Sequence, residues 1–227
     1  MKKDILGKLH RKLIVSVQAL QGNPLRDTYC IAHLAAAAVA GGAAAIRANG
    51  VEDLTEIRKL VSVPIIAINK CAPSPTEPYI TPNIDMARQI YGLGEIIAID
   101  ATSRPDTTRA ANLIRQIHDE CDALVMADIS TLEEGIAAAK NGADIVATTL
   151  SGYTPYTVKT EGPDLRLIQE LAAAVDVPVI AEGRFLTPAD VDRGLECGAH
   201  SVVIGKMITN AMFITGEFIR KSTRISK

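Results

Sequence analysis

The chain has 227 residues, 48% hydrophobic and 22% charged, with a formal net charge of −2. This composition supports a packed core and excludes global disorder. The near-neutral charge and the 4% aromatic content give no reason to expect a nucleic-acid partner, which needs a basic surface and stacking platforms.

Taken in order, the chain alternates strand and helix. Leu13–Gln18 reads as a first strand, followed by a loop with Gly22, Asn23 and Pro24 and a helix over Asp27–Ala40 that Gly41-Gly42 stops. Ala43–Arg47 is the second strand and Val51–Lys59 the second helix. Pro64–Asn69 is the third strand, with Lys70 at its end. A proline-rich insert, Cys71–Pro82, reads as a loop over a barrel mouth. A helix over Ile84–Tyr91 and a strand over Glu95–Asp100 follow. Asp106 or Thr107 caps a helix that runs to Asp119, and Ala123–Asp128 is the fifth strand. Thr131 with Glu134 matches a capping box, and Asn141-Gly142 ends that helix. Asp144–Thr149 is the sixth strand, before a long loop over Leu150–Pro163. A helix over Leu165–Val175, a strand over Pro178–Ala181, a helix over Pro188–Cys197, a strand over Ser201–Ile204 and a helix over Ile208–Lys221 complete the chain.

The almost uncharged stretch Cys30–Ile46 is shorter than the ~20 residues a membrane span needs, and Gly41-Gly42 interrupts it. An alanine-rich helix and the next buried strand explain it better. Met1–Asp4 shows no signal-peptide pattern. Cys30, Cys71, Cys121 and Cys197 are scattered without a CxxC pair, as reduced thiols of a cytoplasmic protein are.

Strand–helix units repeated without a long linker predict a single-domain α/β fold over residues 1–227, an eight-stranded parallel (β/α)8 TIM barrel. The runner-up, an open doubly wound sheet binding a nucleotide, calls for a GxGxxG turn after the first strand, and the turn here is QALQGNP.

In a barrel the active site is built from the carboxyl ends of the strands. Those ends carry Gln18, Arg47, Lys70, Asp100, Asp128, Thr148, Thr149 and Glu182. Burying such charges on one rim is costly unless they pair or meet a ligand. The last two strands run into Gly183 and Gly205, and glycine turns that open helices there present backbone N–H groups to a phosphate. The histidines do not join them. His33 and His118 fall within predicted helices, His10 precedes the first strand and His200 enters the eighth at the opposite rim. No metal cluster, GxSxG turn or Cys–His pair emerges. Lysine, glutamate, arginine and glutamine around an anion site suit proton transfer at a carbon next to a carbonyl in a phosphorylated sugar. Lys70 and Glu182 would titrate as a pair, with acid and base not assigned between them. Alternative readings are a lyase or synthase that uses Lys70 as a Schiff base, and a non-catalytic sugar-phosphate sensor.

The motifs SVQAL (Ser16–Leu20), AIRANG (Ala45–Gly50), AINK (Ala67–Lys70), MADIST (Met126–Thr131), TTLSGYT (Thr148–Thr154) and VIAEGRF (Val179–Phe185) stand in order at strand ends. With them the chain resembles the N-acetylmannosamine-6-phosphate 2-epimerase family of amino-sugar and sialic-acid catabolism. The resemblance implies inversion at C2 between N-acetylmannosamine 6-phosphate and N-acetylglucosamine 6-phosphate. It implies Lys70 and Glu182 as the catalytic pair, Gln18, Arg47 and Asp128 as substrate ligands, and Gly183 and Gly205 as backbone phosphate donors; Arg184 and Lys206, beside those glycines in the chain, are expected to join the substrate-binding set. It implies no metal, nucleotide or flavin. One segment departs from the pattern: where the family reads close to GGAITRP, this chain has Lys206 in place of a small residue and Asn210 in place of the arginine. Met212, Phe213, Ile214, Phe218 and Ile219 of the last helix would serve the core or a homodimer face, and the core is the expected use because barrel helices bury a stripe.

Overall fold

A computed structural model describes residues 2–224. Its eight strands are β1 (Leu13–Val17), β2 (Ala45–Asn49), β3 (Ile65–Ile68), β4 (Ile96–Asp100), β5 (Leu124–Asp128), β6 (Ile145–Ala147), β7 (Val179–Glu182) and β8 (Ser201–Ile204). They pair in parallel in chain order, and β8 closes onto β1. The helices are α1 (Lys2–Leu9), α2 (Thr28–Ala40), α3 (Val51–Leu60), α4 (Ile84–Ile90), α5 (Arg109–Glu120), α6 (Leu132–Lys140), α7 (Leu165–Ala174), α8 (Pro188–Glu196), α9 (Lys206–Thr209) and α10 (Ala211–Lys221).

Strand side chains alternate between two faces, and the two large buried clusters divide along that alternation. Ile14, Ala45, Ile66, Ile68, Ile96, Ala98, Leu124, Met126, Ile145, Ala147, Ile180 and Val203 fill the barrel interior. Their sequence neighbours Val15, Ile46, Ile65, Ala67, Ile97, Val125 and Val146 pack outward with helix residues such as Ile31, Leu54, Ile57, Ile114 and Leu171. The next inward step beyond the interior layer falls on Ser16, Arg47, Lys70, Asp100, Asp128, Thr149, Glu182 and Gly205, with Gln18 one step further along from Ser16. Period-two alternation thus aims the strand-end set at one space.

Helix α1 was not expected from sequence. Its Ile5 and Leu9 join the interior cluster and plug the amino end of the barrel. His200 bonds there through Nε2 to the Leu6 carbonyl at 2.8 Å, and its Nδ1 lies 3.4 Å from His10 Nδ1. The capping box of Thr131 and Glu134 is present. The N-cap of α5 is Thr108 rather than Asp106 or Thr107, although Asp106 Oδ1 still accepts the Thr108 and Arg109 N–H groups. The stretch Cys30–Ile46 is α2, its glycine stop and the start of β2, and among the described residues no helix is long and apolar enough to cross a membrane.

Two expectations are corrected. Strand β2 runs to Asn49, so Arg47 lies within the strand, level with Ser16 and Ile66, and is only 1% exposed. The last helix breaks at Asn210 into α9 and α10, and no residue of α10 is buried. Met212, Phe218 and Ile219 are exposed, Phe218 at 70%, so this helix does not contribute its stripe to the core of the chain.

Candidate active site

The centre of the carboxyl mouth is a charged cluster built on β2, β5 and β7. Arg47 grips Asp128 with both guanidinium ends: Nη2 donates to Oδ2 at 2.6 Å and Nη1 to Oδ1 at 3.1 Å. Arg47 Nη1 also lies 3.2 Å from Glu182 Oε2. Burial works against the Arg47 charge, but Asp128 and then Glu182 more than offset it, and the guanidinium is held above its ordinary value. Its Nε is buried without a partner.

Lys70 follows β3. Its backbone N–H donates to Asn49 Oδ1 at 2.8 Å, which fixes where the side chain leaves the strand. Its Nζ donates to Gln18 Oε1 at 2.8 Å, and Gln18 Nε2 donates to Ser16 Oγ at 2.7 Å. A serine on β1 thereby orients the amide, and the amide holds the amine. Burial pushes the Lys70 amine down to about 8. The Arg47 charge adds to this, while Glu182 and Asp128 oppose it. Near neutrality such a lysine exchanges protons readily.

Glu182 closes β7. Burial raises its proton affinity, Arg47 lowers it, and Asp128 raises it again, leaving the carboxyl above its ordinary value. Thr148 clamps the end of the strand, donating to the Glu182 carbonyl at 2.9 Å and accepting its N–H at 3.0 Å. The Thr149 hydroxyl lies 2.6 Å from Asp128 Oδ1 and 3.2 Å from Glu182 Oε2. In a closed barrel of eight strands, β3 and β7 stand opposite each other. Lys70 and Glu182 therefore approach the mouth from opposite walls, close enough for each to shift the other's proton affinity.

The structure brings Gln18, Arg47, Lys70, Asp128 and Glu182 together. The glycine turns expected to take a phosphate adjoin this cluster, after β7 and β8. Gly183 has φ +118°, a conformation open to glycine and rarely to other residues, and Gly205 N-caps α9 with its Cα face against Ser16. Arg184 is also left-handed, with φ 59°. Its guanidinium is occupied by the loop after β6: Nε donates to Gly162 O at 2.8 Å, Nη1 to Ser151 O at 2.7 Å and Nη2 to Thr160 Oγ1 at 3.1 Å. Lys206 is exposed, with Nζ 5.7 Å over the Phe213 ring. Asn210 accepts the Phe213 N–H and caps α10. Asp100 faces a different task. It accepts from Thr102 Oγ1 (2.6 Å), Thr102 N–H (3.2 Å), Arg104 Nη2 (2.9 Å) and Tyr79 N–H (3.2 Å). Arg104 also donates to the carbonyls of Ser74 and Pro75, so this carboxylate anchors the proline-rich loop.

Sequence reasoning missed Ser16, Asn49 and Tyr79. Ser16 and Asn49 had a signal, since each lies one inward step from a site residue on its own strand. Tyr79 had none, because the path of an irregular loop sets its position. Among the described residues no group of three or more His, Cys, Asp or Glu side chains is placed to hold a metal ion.

Comparison with known proteins follows the same lines. A family model described as N-acetylmannosamine-6-phosphate epimerase matches residues 31–224. A relative from Caldanaerobacter subterraneus, designated an N-acetylmannosamine-6-phosphate 2-epimerase, is 47% identical over 223 residues, covering 96% of this chain and 94% of its own. One from Clostridioides difficile with the same designation is 44% identical over 219 residues, covering 95% and 98%. The solved structure of the N-acetylmannosamine-6-phosphate 2-epimerase from Clostridium perfringens superposes with a TM-score of 0.89 at 44% identity, over 94% of each chain. A thiamine phosphate pyrophosphorylase from Pyrococcus furiosus, at TM-score 0.62 and 17% identity, shares the barrel alone.

Proposed function

The chain belongs to the N-acetylmannosamine-6-phosphate epimerase family, and we propose that it interconverts N-acetylmannosamine 6-phosphate and N-acetylglucosamine 6-phosphate by proton transfer at C2. The observation that carries this reading is Lys70, an amine lowered to about 8 and held by Gln18, facing Glu182 from the opposite wall of one barrel mouth.

The C2 hydrogen becomes acidic only when C1 is a carbonyl, so the sugar ring opens first, and the Glu182 carboxyl serves that proton transfer. Lys70 then takes the C2 proton. Negative charge grows on the C1 oxygen, where the Arg47 charge and the Gln18 amide favour it. Inversion requires the new proton to arrive on the other face of C2, and the wall opposite Lys70 carries Glu182. In the reverse direction the two exchange roles. Asp128, itself fully buried, acts through the Arg47 guanidinium that it holds. The backbone N–H groups around Gly183 and Gly205 receive the 6-phosphate, with Lys206 as the nearby cation where the family has an arginine. Arg184 supports this rim by pinning the loop over residues 151–162.

The test is incubation with N-acetylmannosamine 6-phosphate in deuterated water. Deuterium should appear at C2 of the N-acetylglucosamine product before it appears in the remaining substrate, as two bases on opposite faces require. No incorporation at high enzyme concentration sinks the epimerase reading. Borohydride trapping that adds mass to Lys70 would favour a Schiff-base enzyme instead.

The exposed apolar positions of α10 support a homodimer through that helix, checked by sedimentation velocity of the full chain. The scattered thiols, all free, fit a cytoplasmic enzyme, checked by fractionating cells that express it.

A further inference from the structure

Thr149 has one hydroxyl hydrogen and two carboxylates within reach, Asp128 Oδ1 at 2.6 Å and Glu182 Oε2 at 3.2 Å. A hydroxyl donates once and can accept as well. The shorter contact takes the hydrogen, because Asp128 Oδ1 sits at charge-assisted distance. The Thr149 oxygen then turns its lone pairs toward Glu182 Oε2. Two bare oxygens at that separation are unfavourable, whereas a proton on Glu182 makes the contact a hydrogen bond.

The other group near Glu182 Oε2 does not remove the need for that proton. Arg47 Nη1 lies 3.2 Å away, but its two hydrogens are directed at Asp128 Oδ1 (3.1 Å) and Met126 Sδ (3.9 Å). Arg47 gives Glu182 a neighbouring charge without an aligned donor. The charged groups that face Glu182 from the elements around it are Arg47 on β2, Lys70 after β3 and Asp128 on β5.

We propose that Thr149 is a positioning residue that keeps the resting proton on Glu182 through a relay, Glu182 Oε2–H to Thr149 Oγ1 and Thr149 Oγ1–H to Asp128 Oδ1. The relay gives the site one proton to place on the substrate from the wall opposite Lys70. It also explains why a small hydroxyl residue follows β6 at the inward position, where the lower layers hold Ile145 and Ala147. This extends the reading of Glu182 as the proton carrier and rests on it.

The two directions of the Thr149 bond predict opposite signs. A donor to Glu182 stabilises the carboxylate, so its loss raises the midpoint of Glu182. An acceptor from Glu182 stabilises the acid, so its loss lowers the midpoint. The experiment is the pH titration of the Glu182 carboxyl carbon by 13C NMR in the substrate-free full chain labelled with 13C-glutamate, assigned with Glu182→Gln. Thr149→Val should move the Glu182 midpoint down by about one pH unit, the worth of one hydrogen bond to the acid. Thr149→Ser should leave it in place. An upward or absent shift in Thr149→Val overturns the relay. Should Thr149→Val fail to fold, the wild-type signal decides: a midpoint at or below that of a free glutamate overturns the proposal. Because the titration uses no substrate, a wrong relay appears here, and a wrong epimerase assignment appears only in the exchange assay.

Discussion

Asp100 and Asp128 are register partners on adjacent strands, both 0% exposed, each paired with a buried arginine, yet they belong to different machines. Asp100 accepts from Tyr79, Arg104 and twice from Thr102. That fills the roughly four lone-pair sites of a carboxylate, and its arginine comes from its own loop, four residues on. Asp128 takes its arginine from across the barrel and shares Thr149 with Glu182. It stands in the field of a lowered lysine and a raised glutamate. Burial and charge alone do not separate the two. Asp100 has its lone pairs filled by its own loop, whereas Asp128 shares Thr149 and Arg47 with Glu182, which is the basis for proposing a role in the reaction for Asp128 only.

The largest expected effect sharpens the chemical side. Lys70→Met should cut C2 deuterium exchange by about 10³- to 10⁴-fold, while the thermal midpoint at pH 7 rises, because the wild-type protein buries an ammonium at a cost. The sign follows from linkage. With Lys70 lowered to about 8 in the folded state against an ordinary 10.5, the unfolded chain holds more protons between those values. Wild-type stability should therefore climb with pH across that window, and the variant should lack this climb. Unfolding curves at pH 7 and 10 read it, and an identical slope in both proteins would break the assignment of Lys70 as a neutral-range base.

Glu182→Gln should lower exchange by about 10²- to 10³-fold and leave the fold intact, as measured by exchange and circular dichroism. The direct test of the comparison comes next. Asp128→Asn should reduce exchange by about 10²-fold, because it frees Arg47 and removes the partner of Thr149. Asp100→Asn should change exchange by less than about tenfold, cost about 1–3 kcal/mol in denaturant unfolding, and make residues 71–82 easier to cleave in limited proteolysis. If Asp100→Asn abolished exchange while stability held, the division between the two aspartates would fail. The smallest effect is at the rim: Asn210→Ala should cost about 1 kcal/mol through the lost cap of α10, read by thermal unfolding with exchange nearly unchanged.

Much of this site was legible in the chain. Ile66-x-Ile68-x-Lys70 and Leu124-x-Met126-x-Asp128 show the inward step on their face, so strand alternation alone aims both charges at the mouth. Arg47 was placed at a strand end because the alanine-rich run Ala43-Ala44-Ala45 carries little β signal, and the strand boundary shifted with it. The path of Tyr79 is set by Asp100 and Arg104, contacts made by residues 21 and 25 positions further on. The apolar stripe of α10 reads as core or as a dimer face, with core the expected use, since periodicity reports that a helix has an apolar face and is silent about what covers it.

The (β/α)8 order, the inward parity of the strands and the chemical types at the rim are written in the chain, because they depend on local periodicity and on turns of a few residues. The tertiary structure alone decided which charges share a partner, and that one aspartate is bonded to its own loop while its neighbour pairs with an arginine three strands away. Those outcomes depend on barrel closure and on distances between strands remote in sequence, where differences of a few tenths of an ångström in hydrogen bonding decide what each proton does.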